Sequence, residues 1–362
     1  TWARGVTTTY AYDTCGGALT NIVYSDGTPA VSFTLDRLGR QVAITDATGT
    51  RVFAYNDALQ LAAETNAFGV LARAYDGLGR SAGFSLSNPA NSVNPVQSIT
   101  YGYDLLGRFH SVSSSVFSAF SVVEYSYLPN SDLISGWSNG ILQTVRSFEP
   151  NRDLITAVEN RAGTNLISRF DYANDALARR VRRTDSGSAT STNAFGYNLR
   201  SELTSAAMGT NQYGYAYDPI GNRQVATNNT EVVTYLANEL NQYTNIMDGM
   251  TLTPTYDLDG NMTTYGDWTF AWDGENRLIS AGNGSTVVSN CYDYMSRRVA
   301  KTVNGSARQF LYDGWAMIQE TTGTQTNSYV YGLDLSGSMQ GAGTIGGLLS
   351  ASLNGTQAFY FY

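Results

Sequence analysis

The chain has 362 residues, of which 42% are hydrophobic and only 14% charged, and its formal net charge is −8 at neutral pH. The acidic balance gives no electrostatic support to a nucleic-acid partner, and no apolar run approaches the ~20 residues of a membrane-spanning helix. The 25 tyrosines and 36 glycines are typical of strands joined by tight turns.

A short motif recurs along the chain, about every 20 residues. Its clearest copies are Tyr75-Asp76-Gly77-Leu78-Gly79-Arg80, Tyr103-Asp104-Leu105-Leu106-Gly107-Arg108 and Tyr217-Asp218-Pro219-Ile220-Gly221-Asn222-Arg223. Such self-similarity indicates an array whose units bury apolar faces against their neighbours. The remaining copies open at Tyr12, Leu35, Tyr55, Tyr127, Phe148, Tyr172, Tyr197, Tyr235, Tyr256, Trp272, Tyr292, Tyr312 and Tyr331.

Each repeat reads as turn, strand, turn, strand. In residues 35–55, the segment Leu35 to Arg40 carries an Asp that can accept backbone hydrogen bonds and a Gly that tolerates a positive φ. Gln41 to Thr45 alternates as a strand, Asp46 to Gly49 is a second turn, and Thr50 to Tyr55 is a second strand. The pattern predicts an all-β fold of antiparallel hairpins, curved or spiralling, with little helix.

A second aromatic residue often stands two positions before the opening one. Because alternate residues of a strand share a face, these pairs predict aromatic columns across neighbouring strands. A platform on which sugar rings stack is the alternative interpretation. The pairs are Tyr10/Tyr12, Phe53/Tyr55, Tyr101/Tyr103, Tyr125/Tyr127, Phe170/Tyr172, Phe195/Tyr197, Tyr215/Tyr217, Phe270/Trp272, Phe310/Tyr312 and Tyr329/Tyr331.

Candidate catalytic and metal-binding residues are few. His110 is the only histidine, which removes multi-histidine metal sites and paired-histidine acid–base schemes. Its place directly after a motif favours an ordinary strand position. The stretch Asp257 to Asn261 resembles the start of a calcium loop, but Trp268 stands where the bidentate glutamate belongs and Gly260 is two positions early. A repeat turn is the favoured interpretation.

The densest carboxylate group is Asp267, Asp273 and Glu275, beside Trp268 and Trp272. Paired carboxylates serve in glycoside hydrolysis, yet these residues lie on or near repeat turns, so turn formation is the expectation. We therefore assign no catalytic, cofactor-binding or metal-binding residue, expect no cofactor, and favour a non-enzymatic segment.

Three further features bear on the organisation of the chain. Cys15 and Cys291 are the only cysteines, and they do not identify a redox compartment. The glycine-rich stretch 337–349 lacks a phosphate-loop lysine and a βαβ context, so close backbone approach or a plug-like turn is expected there. The first and last residues fall within the repeat pattern, which predicts that this sequence is a piece of a longer protein.

The repeated Tyr-Asp-x-x-Gly-Arg units resemble those of Rhs, or YD-repeat, proteins, which include bacterial Rhs toxins, Tc toxin shell components and teneurins. The resemblance implies a spiral β-sheet forming a hollow shell, which in the toxins encloses a C-terminal effector. Residues 329–343 resemble the beginning of the Rhs-associated core. We accordingly expect a shell segment at 1–335 and the start of a core-like region at 336–362.

In the toxins of this family, an aspartyl motif of the form DPxGxxGG releases the effector. Asp218 to Gly221 matches its first half, but Asn222 and Arg223 follow where the motif continues toward paired glycines. We therefore do not assign a protease role to Asp218. An effector and a true cleavage site would lie beyond Tyr362.

The sequence thus favours a structural shell segment that encloses or displays an effector or mediates surface contacts. The resemblance implies a secreted or cell-surface location, and partners that are an enclosed effector or other shell segments. A carbohydrate-binding or carbohydrate-processing surface is the alternative, with glycans as possible partners. An enzyme within the repeats is the third hypothesis, which the poverty in His and Cys disfavours.

Overall fold

The computed structural model describes residues 1–87, 97–115 and 122–360. These residues form two compact units. The first contains residues 1–122, 257–261 and 267–360, and the second contains residues 123–256 and 262–266. No helix occurs within these described residues, so none of them lies in a helix that could cross a membrane. The expected all-β class is confirmed.

The strands follow one another with short connections. The first ten are β1 Thr8–Tyr12, β2 Leu19–Tyr24, β3 Val31–Leu35, β4 Gln41–Asp46, β5 Gly49–Tyr55, β6 Leu61–Asn66, β7 Gly69–Tyr75, β8 Ser81–Ser87, β9 Gln97–Tyr103 and β10 Phe109–Ser114. The next fifteen are β11 Val122–Tyr127, β12 Ile134–Ser138, β13 Leu142–Phe148, β14 Ile155–Ala162, β15 Asn165–Asn174, β16 Arg180–Gly187, β17 Ser191–Tyr197, β18 Leu203–Met208, β19 Asn211–Tyr217, β20 Arg223–Asn228, β21 Glu231–Ala237, β22 Tyr243–Asp248, β23 Met250–Leu252, β24 Thr255–Tyr256 and β25 Met262–Tyr265. The last nine are β26 Trp268–Trp272, β27 Leu278–Gly282, β28 Val287–Tyr292, β29 Arg298–Val303, β30 Ser306–Asp313, β31 Ala316–Thr322, β32 Gln325–Tyr331, β33 Leu348–Leu353 and β34 Thr356–Phe359.

In the first unit, β1 to β10 form one antiparallel meander and β26 to β34 form another. In the second unit, β11 to β23 pair in the same successive way. Successive pairing follows from the short connections, because a tight turn returns the chain antiparallel to the strand it has just left.

Two kinds of turn alternate along each meander. Most motif turns hold five residues, as between Tyr55 and its partner Leu61, and those after Tyr127 and Phe148 hold six. The connections at the other strand ends are mostly short turns of two residues, as between Asp46 and its partner Gly49, and the connection 25–30 is longer. Since successive turns of a meander lie at opposite strand ends, motif turns line one edge and short turns line the other. The predicted order of turn, strand, turn, strand is confirmed.

Three of the predicted motif positions depart from this pattern. After Tyr312 the turn holds only residues 314–315, and the other two openings are displaced. At Tyr172 and Tyr235 the aromatic residue stands two positions before the last strand residue, because the turns begin at Asp175 and Asn238. The sequence misplaced these openings because Tyr and Phe also occupy the preceding in-phase strand position. In the structure the strand pairing ends directly before the aspartate or asparagine, and the turn begins at that residue instead.

The core of the first unit lies on one face of its strands. Val31, Ile44 and Phe53 form a buried cluster against which Phe33 and Tyr294 pack. In β5 the buried residues are Arg51 and Phe53, two positions apart, as expected when one face of a strand is covered. Ile44 is only 1% exposed, so this cluster is closed to solvent.

Replacing the buried aromatic residue Phe310 with Ala tests the packing of the second meander. Its side chain is 8% exposed, and removal of a buried aromatic costs about 3–5 kcal/mol. We expect a lower denaturant midpoint for Phe310→Ala. The control Val232→Ala removes a side chain that is 53% exposed and should leave the midpoint nearly unchanged. Equal midpoints for Phe310→Ala and the unmodified chain would contradict this packing.

Candidate functional site

The motif turn is the recurring chemical unit of the chain, and we number its five residues 1 to 5. In the turn 104–108, one carboxylate oxygen of Asp104, Oδ1, accepts the amides of Leu106 and Arg108, both at 2.9 Å. Its Oδ2 accepts Arg108 Nε at 2.8 Å. The Asp104 amide donates to the Arg108 carbonyl, and the Gly107 amide donates to the Asp104 carbonyl. One aspartate therefore holds both the backbone and the arginine of the turn.

The same bonding recurs with altered partners. The pairs Asp36/Arg40, Asp76/Arg80, Asp175/Arg179, Asp273/Arg277 and Asp293/Arg297 repeat all three side-chain bonds. Amides replace one or both charges in Asn56/Gln60, Asp218/Asn222, Asn238/Gln242 and Asp257/Asn261. The geometry of the acceptor at position 1 is therefore required, and its charge is not.

The hydrogen bonds lower the pKa of the turn aspartates. Partial withdrawal from water would by itself raise the pKa of Asp104, but the side-chain and backbone donors of Arg108 and the Leu106 amide outweigh it. The pKa of Asp76 is lowered in the same way by Arg80 and Leu78. These carboxylates are held ionised as turn acceptors, which is unlike the raised pKa of a general acid.

Position 4 of the turn has a left-handed backbone. Its φ is 83° at Gly107 and 99° at Gly221, yet Leu59 and Ala178 adopt 65° and 63°. Only glycine takes this conformation without a steric cost of about 1–2 kcal/mol. The remaining hydrogen bonds of the turn thus stabilise it enough to hold residues other than glycine at position 4.

Arginine and tyrosine connect each motif turn to the next. The Arg80 guanidinium lies 3.9 Å from the centre of the Tyr103 ring, and the Tyr103 hydroxyl donates to the Ser81 carbonyl at 2.8 Å. Arg80 Nη1 also donates to the Gly107 carbonyl at 3.4 Å. The last residue of one motif therefore contacts the first residue and the turn of the following motif.

This connection occurs in both units. Arginines at position 5 lie over the next tyrosine in Arg40/Tyr55, Arg179/Tyr197, Arg277/Tyr292 and Arg297/Tyr312. The tyrosine hydroxyl donates to the carbonyl that follows the preceding turn in Tyr55/Gln41, Tyr75/Leu61, Tyr197/Arg180, Tyr217/Leu203, Tyr292/Leu278 and Tyr312/Arg298. These rings and hydroxyls are therefore engaged within the sheet.

The predicted aromatic columns contain arginines. In the pair Phe170/Tyr172, Arg183 lies over the first ring at 5.6 Å and Arg180 over the second at 3.6 Å. Direct ring contact does occur, as between Tyr101 and Phe109 at 5.5 Å. The cross-strand neighbour of an aromatic residue is thus often an arginine, which sequence reasoning missed because it compared aromatic residues only with one another.

Within the first unit, the short turns of residues 1–115, the first segment, contact the motif turns of residues 257–261 and 267–360, the second segment. Thr28 Oγ1 accepts the Gly274 amide at 2.7 Å. Asp46 Oδ2 accepts the Tyr294 amide at 2.8 Å. Both donors occupy position 2 of a motif turn, so one rule describes both contacts.

A group of six charges, four of them buried and two partly buried, supports this contact between segments. Arg51 pairs with Glu64 at 2.9 Å and lies 3.5 Å from Asp293, which also pairs with Arg297 at 2.6 Å. Arg73 pairs with Asp313 at 2.6 Å and lies 3.8 Å from Glu64. Three arginines and three carboxylates neutralise one another, as groups withdrawn from water require.

The carboxylates considered for catalysis act in turns. Asp218 accepts the Ile220 and Asn222 amides and the Asn222 side chain. The calcium-like stretch is likewise a motif turn, in which Asp257 accepts from Asp259 and Asn261. Asp259 in turn pairs with Arg4 at 2.5 Å. The sequence interpretation of both stretches as repeat turns agrees with these bonds.

The carboxylates near Trp268 and Trp272 have separate partners. Asp273 accepts from the Glu275 and Arg277 amides and from Arg277 Nε. Burial, together with a hydrogen bond to Glu275, raises the pKa of Tyr24, so Glu275 is engaged with that tyrosine. Asp267 is exposed. The two engaged carboxylates belong to one turn and face different partners.

The remaining candidates are dispersed. His110 lies in β10 as expected. Cys15 and Cys291 are both free thiols, and burial raises the pKa of the Cys291 thiol. Cys291 borders a cavity of about 260 Å³ that Trp272 and Tyr292 also line.

The glycine-rich stretch is an enlarged motif turn between Tyr331 and its partner Leu348. Asp334 keeps the backbone bonds of position 1, with Gly337 donating to its carbonyl. Its Oδ2 accepts the amides of Ala342 and Thr344 where other turns offer an arginine. The stretch therefore folds as an enlarged turn around one buried aspartate.

The comparisons with known proteins agree with this geometry. The family model described as the teneurin YD-shell matches residues 155–340, slightly more than half of the 362 residues. The crystal structure of TcdB2-TccC3 shares the fold, with a TM-score of 0.64 at 13% identity over 91% of this chain and 21% of that chain. A second crystal structure, of TcdB2-TccC3-TEV, has a TM-score of 0.63, 13% identity, and coverage of 96% and 22%. The fold and the motif turns define a YD-repeat shell protein.

The chain belongs to the YD-shell family. Among its relatives, the tRNA3(Ser)-specific nuclease WapA of Bacillus spizizenii is 33% identical over 159 residues, which are 41% of this chain and 6% of the relative. The tRNA nuclease WapA of Bacillus subtilis strain 168 is 33% identical over 129 residues, 33% of this chain and 5% of the relative. The chain thus aligns with a small part of these proteins.

Substitutions at position 4 should change stability in opposite directions. Gly221→Val places a β-branched residue at a φ of 99° and should cost about 1–3 kcal/mol. Ala178→Gly relieves a φ of 63° and should stabilise by up to about 1 kcal/mol. Denaturant midpoints measure both. A shift of the same sign in the two variants would refute the left-handed assignment.

Arg51→Gln should destabilise the contact between the two segments. The change leaves Glu64 and Asp293 short of a buried partner, and breaking a buried pair costs about 3 kcal/mol or more. In the control Arg308→Gln, the pair with Glu320 involves an arginine side chain that is 58% exposed, and we expect less than about 1 kcal/mol. Thermal unfolding of both variants gives the comparison, and equal losses would contradict the role of the buried group.

Proposed function

We propose that this chain is a wall segment of a YD shell that encloses or displays a toxic effector in a secreted or cell-surface protein. The observation that carries the proposal is the assignment of the distinctive Asp, Arg, Gly and Tyr residues to motif turns and their connections. A wall requires rigidity, and each repeat is bonded to the next by three kinds of contact.

The similarity to named toxin-related proteins supports the cargo role. The two WapA relatives are named as tRNA nucleases, and the aligned part covers only 5–6% of their length. We infer that nuclease activity in such a protein belongs outside the repeats. On this proposal, residues 1–335 are wall and residues 336–362 begin a core-like region, whose partners are an effector or other shell segments.

An activity panel tests the wall role. The purified chain should leave tRNA, polysaccharides and its own backbone intact, because its turn carboxylates are held as hydrogen-bond acceptors. Asp218→Asn should leave the chain length on a gel unchanged with time. Slow self-cleavage that this substitution abolishes would overturn the assignment of Asp218. Polysaccharide breakdown lost in Asp273→Asn or Glu275→Gln would support an enzyme instead.

A protease-accessibility experiment tests enclosure. A short cleavable tag appended after residue 362 should be cut more slowly in the folded protein than in urea with a urea-tolerant protease. The control carries the same tag within the exposed turn at Gly140, where cutting should be fast in the folded protein. Equal cutting of the two tags in the folded protein would exclude enclosure by this segment. Display of an effector would then be the role that is left. Saturable binding on a glycan array would favour the carbohydrate alternative.

A further inference from the structure

A cavity of about 260 Å³ lies in the first unit, where its two segments meet. Its lining from the first segment includes Thr28 and Ala47. Thr28 accepts the Gly274 amide, and Asp46, which precedes Ala47, accepts the Tyr294 amide. The open cavity therefore lies between two successive contacts of the segments, at a place that the repeat reproduces one period further along.

The equivalent place in the next repeat, the filled site, encloses only about 10 Å³. Six residues of the second segment that line the open cavity have counterparts 20 positions later that line the filled site. The arginine–tyrosine contact is the same in both, at 5.3 Å from Arg277 to the Tyr292 ring and 5.2 Å from Arg297 to the Tyr312 ring. The counterparts are Asp273/Asp293, Arg277/Arg297, Ile279/Val299, Asn290/Phe310, Cys291/Leu311 and Tyr292/Tyr312.

The chain's own side chains occupy the filled site. Phe310 and Leu311 are only 8% and 7% exposed there, and Phe68 lines the site from the first segment. The counterparts in the open cavity are smaller, because Asn290 stands for Phe310 and Cys291 stands for Leu311. The difference in side-chain volume leaves the first of the two equivalent places open.

Thr48 is the counterpart of Phe68 in the first segment. The two residues are second in the short turns 47–48 and 67–68, and each donates its amide to the side chain two residues earlier. The distances are 2.8 Å from Thr48 to Asp46 and 2.9 Å from Phe68 to Asn66. The two turns therefore share this hydrogen bond, but one supplies a phenyl ring and the other a threonine.

We propose that the open cavity binds a small free aromatic molecule, whose ring takes the place that Phe68 occupies in the next repeat. Trp272 and Tyr292 provide aromatic walls, and Ile279 provides an apolar one. Aromatic rings pack favourably against one another, and an apolar cavity of about 150 Å³ is large enough to bind benzene. The two flanking contacts are two strands, or about 10 Å, apart, which suits a ring rather than a further length of chain. The proposal does not depend on the shell or its cargo.

Isothermal titration calorimetry of the purified chain with indole tests the proposal. We expect saturable binding in the millimolar range or tighter. Thr48→Phe supplies the ring that Phe68 supplies to the next repeat, so it should abolish the binding. Cys291→Leu repeats Leu311 and should weaken the binding independently. The matched control is Thr210→Phe, at the second residue of the exposed two-residue turn 209–210 in the second unit, and it should bind indole like the unmodified chain. Circular dichroism confirms that each variant folds.

The Cys291 thiol, which borders the cavity, locates the bound molecule. Indole should slow the alkylation of Cys291 by iodoacetamide and leave the rate at the exposed Cys15 unchanged, as measured by mass spectrometry of the peptides. Equal protection of the two thiols, or no protection of Cys291, would overturn the proposal.

N-acetyltryptophan amide carries the same ring on a peptide backbone and models a side chain from another segment of a longer protein. We expect it to bind more weakly than indole. Binding as tight as that of indole would assign the cavity to such a side chain and overturn the free ligand. The absence of saturable indole binding, or binding that Thr48→Phe leaves unchanged, would overturn the proposal as well.

Discussion

The structure depends on the way one short side chain satisfies the amides of a five-residue turn. An acceptor with two oxygens, placed one residue after the strand ends, binds the amides at positions 3 and 5 and the side chain at position 5. Buried or half-buried amides need such partners. Once the turn is closed, the arginine at position 5 lies over the next tyrosine, as Arg80 lies over Tyr103, and links successive motif turns.

The turn also explains why the repeat tolerates variation. Where Asn and Gln replace Asp and Arg, as in residues 56–60, the Asn56 side-chain oxygen still accepts the Gln60 backbone amide, but the side-chain bond is reversed, because Asn56 Nδ2 donates to Gln60 Oε1. In Asn198/Glu202 the donor and acceptor roles of the side chains are exchanged, since Asn198 donates its Nδ2 to Glu202. The sequence motif therefore varies, whereas the position 1 oxygen still accepts the backbone amide at position 5.

The fold class and the turn positions were predictable because they depend on local chemistry. Asp, Gly and the alternation of apolar residues act within one repeat, so a single sequence reveals them. The contacts of Arg51 with Asp293 and of Arg73 with Asp313 were not predictable, since they join residues 242 and 240 positions apart. Nothing in Arg51 distinguishes it in sequence from the arginines that lie in exposed pairs. The candidate carboxylates were correctly attributed to turns, because each falls in phase with the repeat.

The contact between the two segments constrains how such a chain can change. In most repeat arrays each unit contacts only its neighbours, and units can be gained or lost singly. Here Thr28 and Asp46 are matched to Gly274 and Tyr294, with nearly equal steps of 18 and 20 residues on the two sides. Duplication of one repeat in either segment would bring every later short turn opposite the wrong motif turn. Copy number in the two segments must therefore evolve together, and single-repeat insertions should be confined to stretches that face no partner.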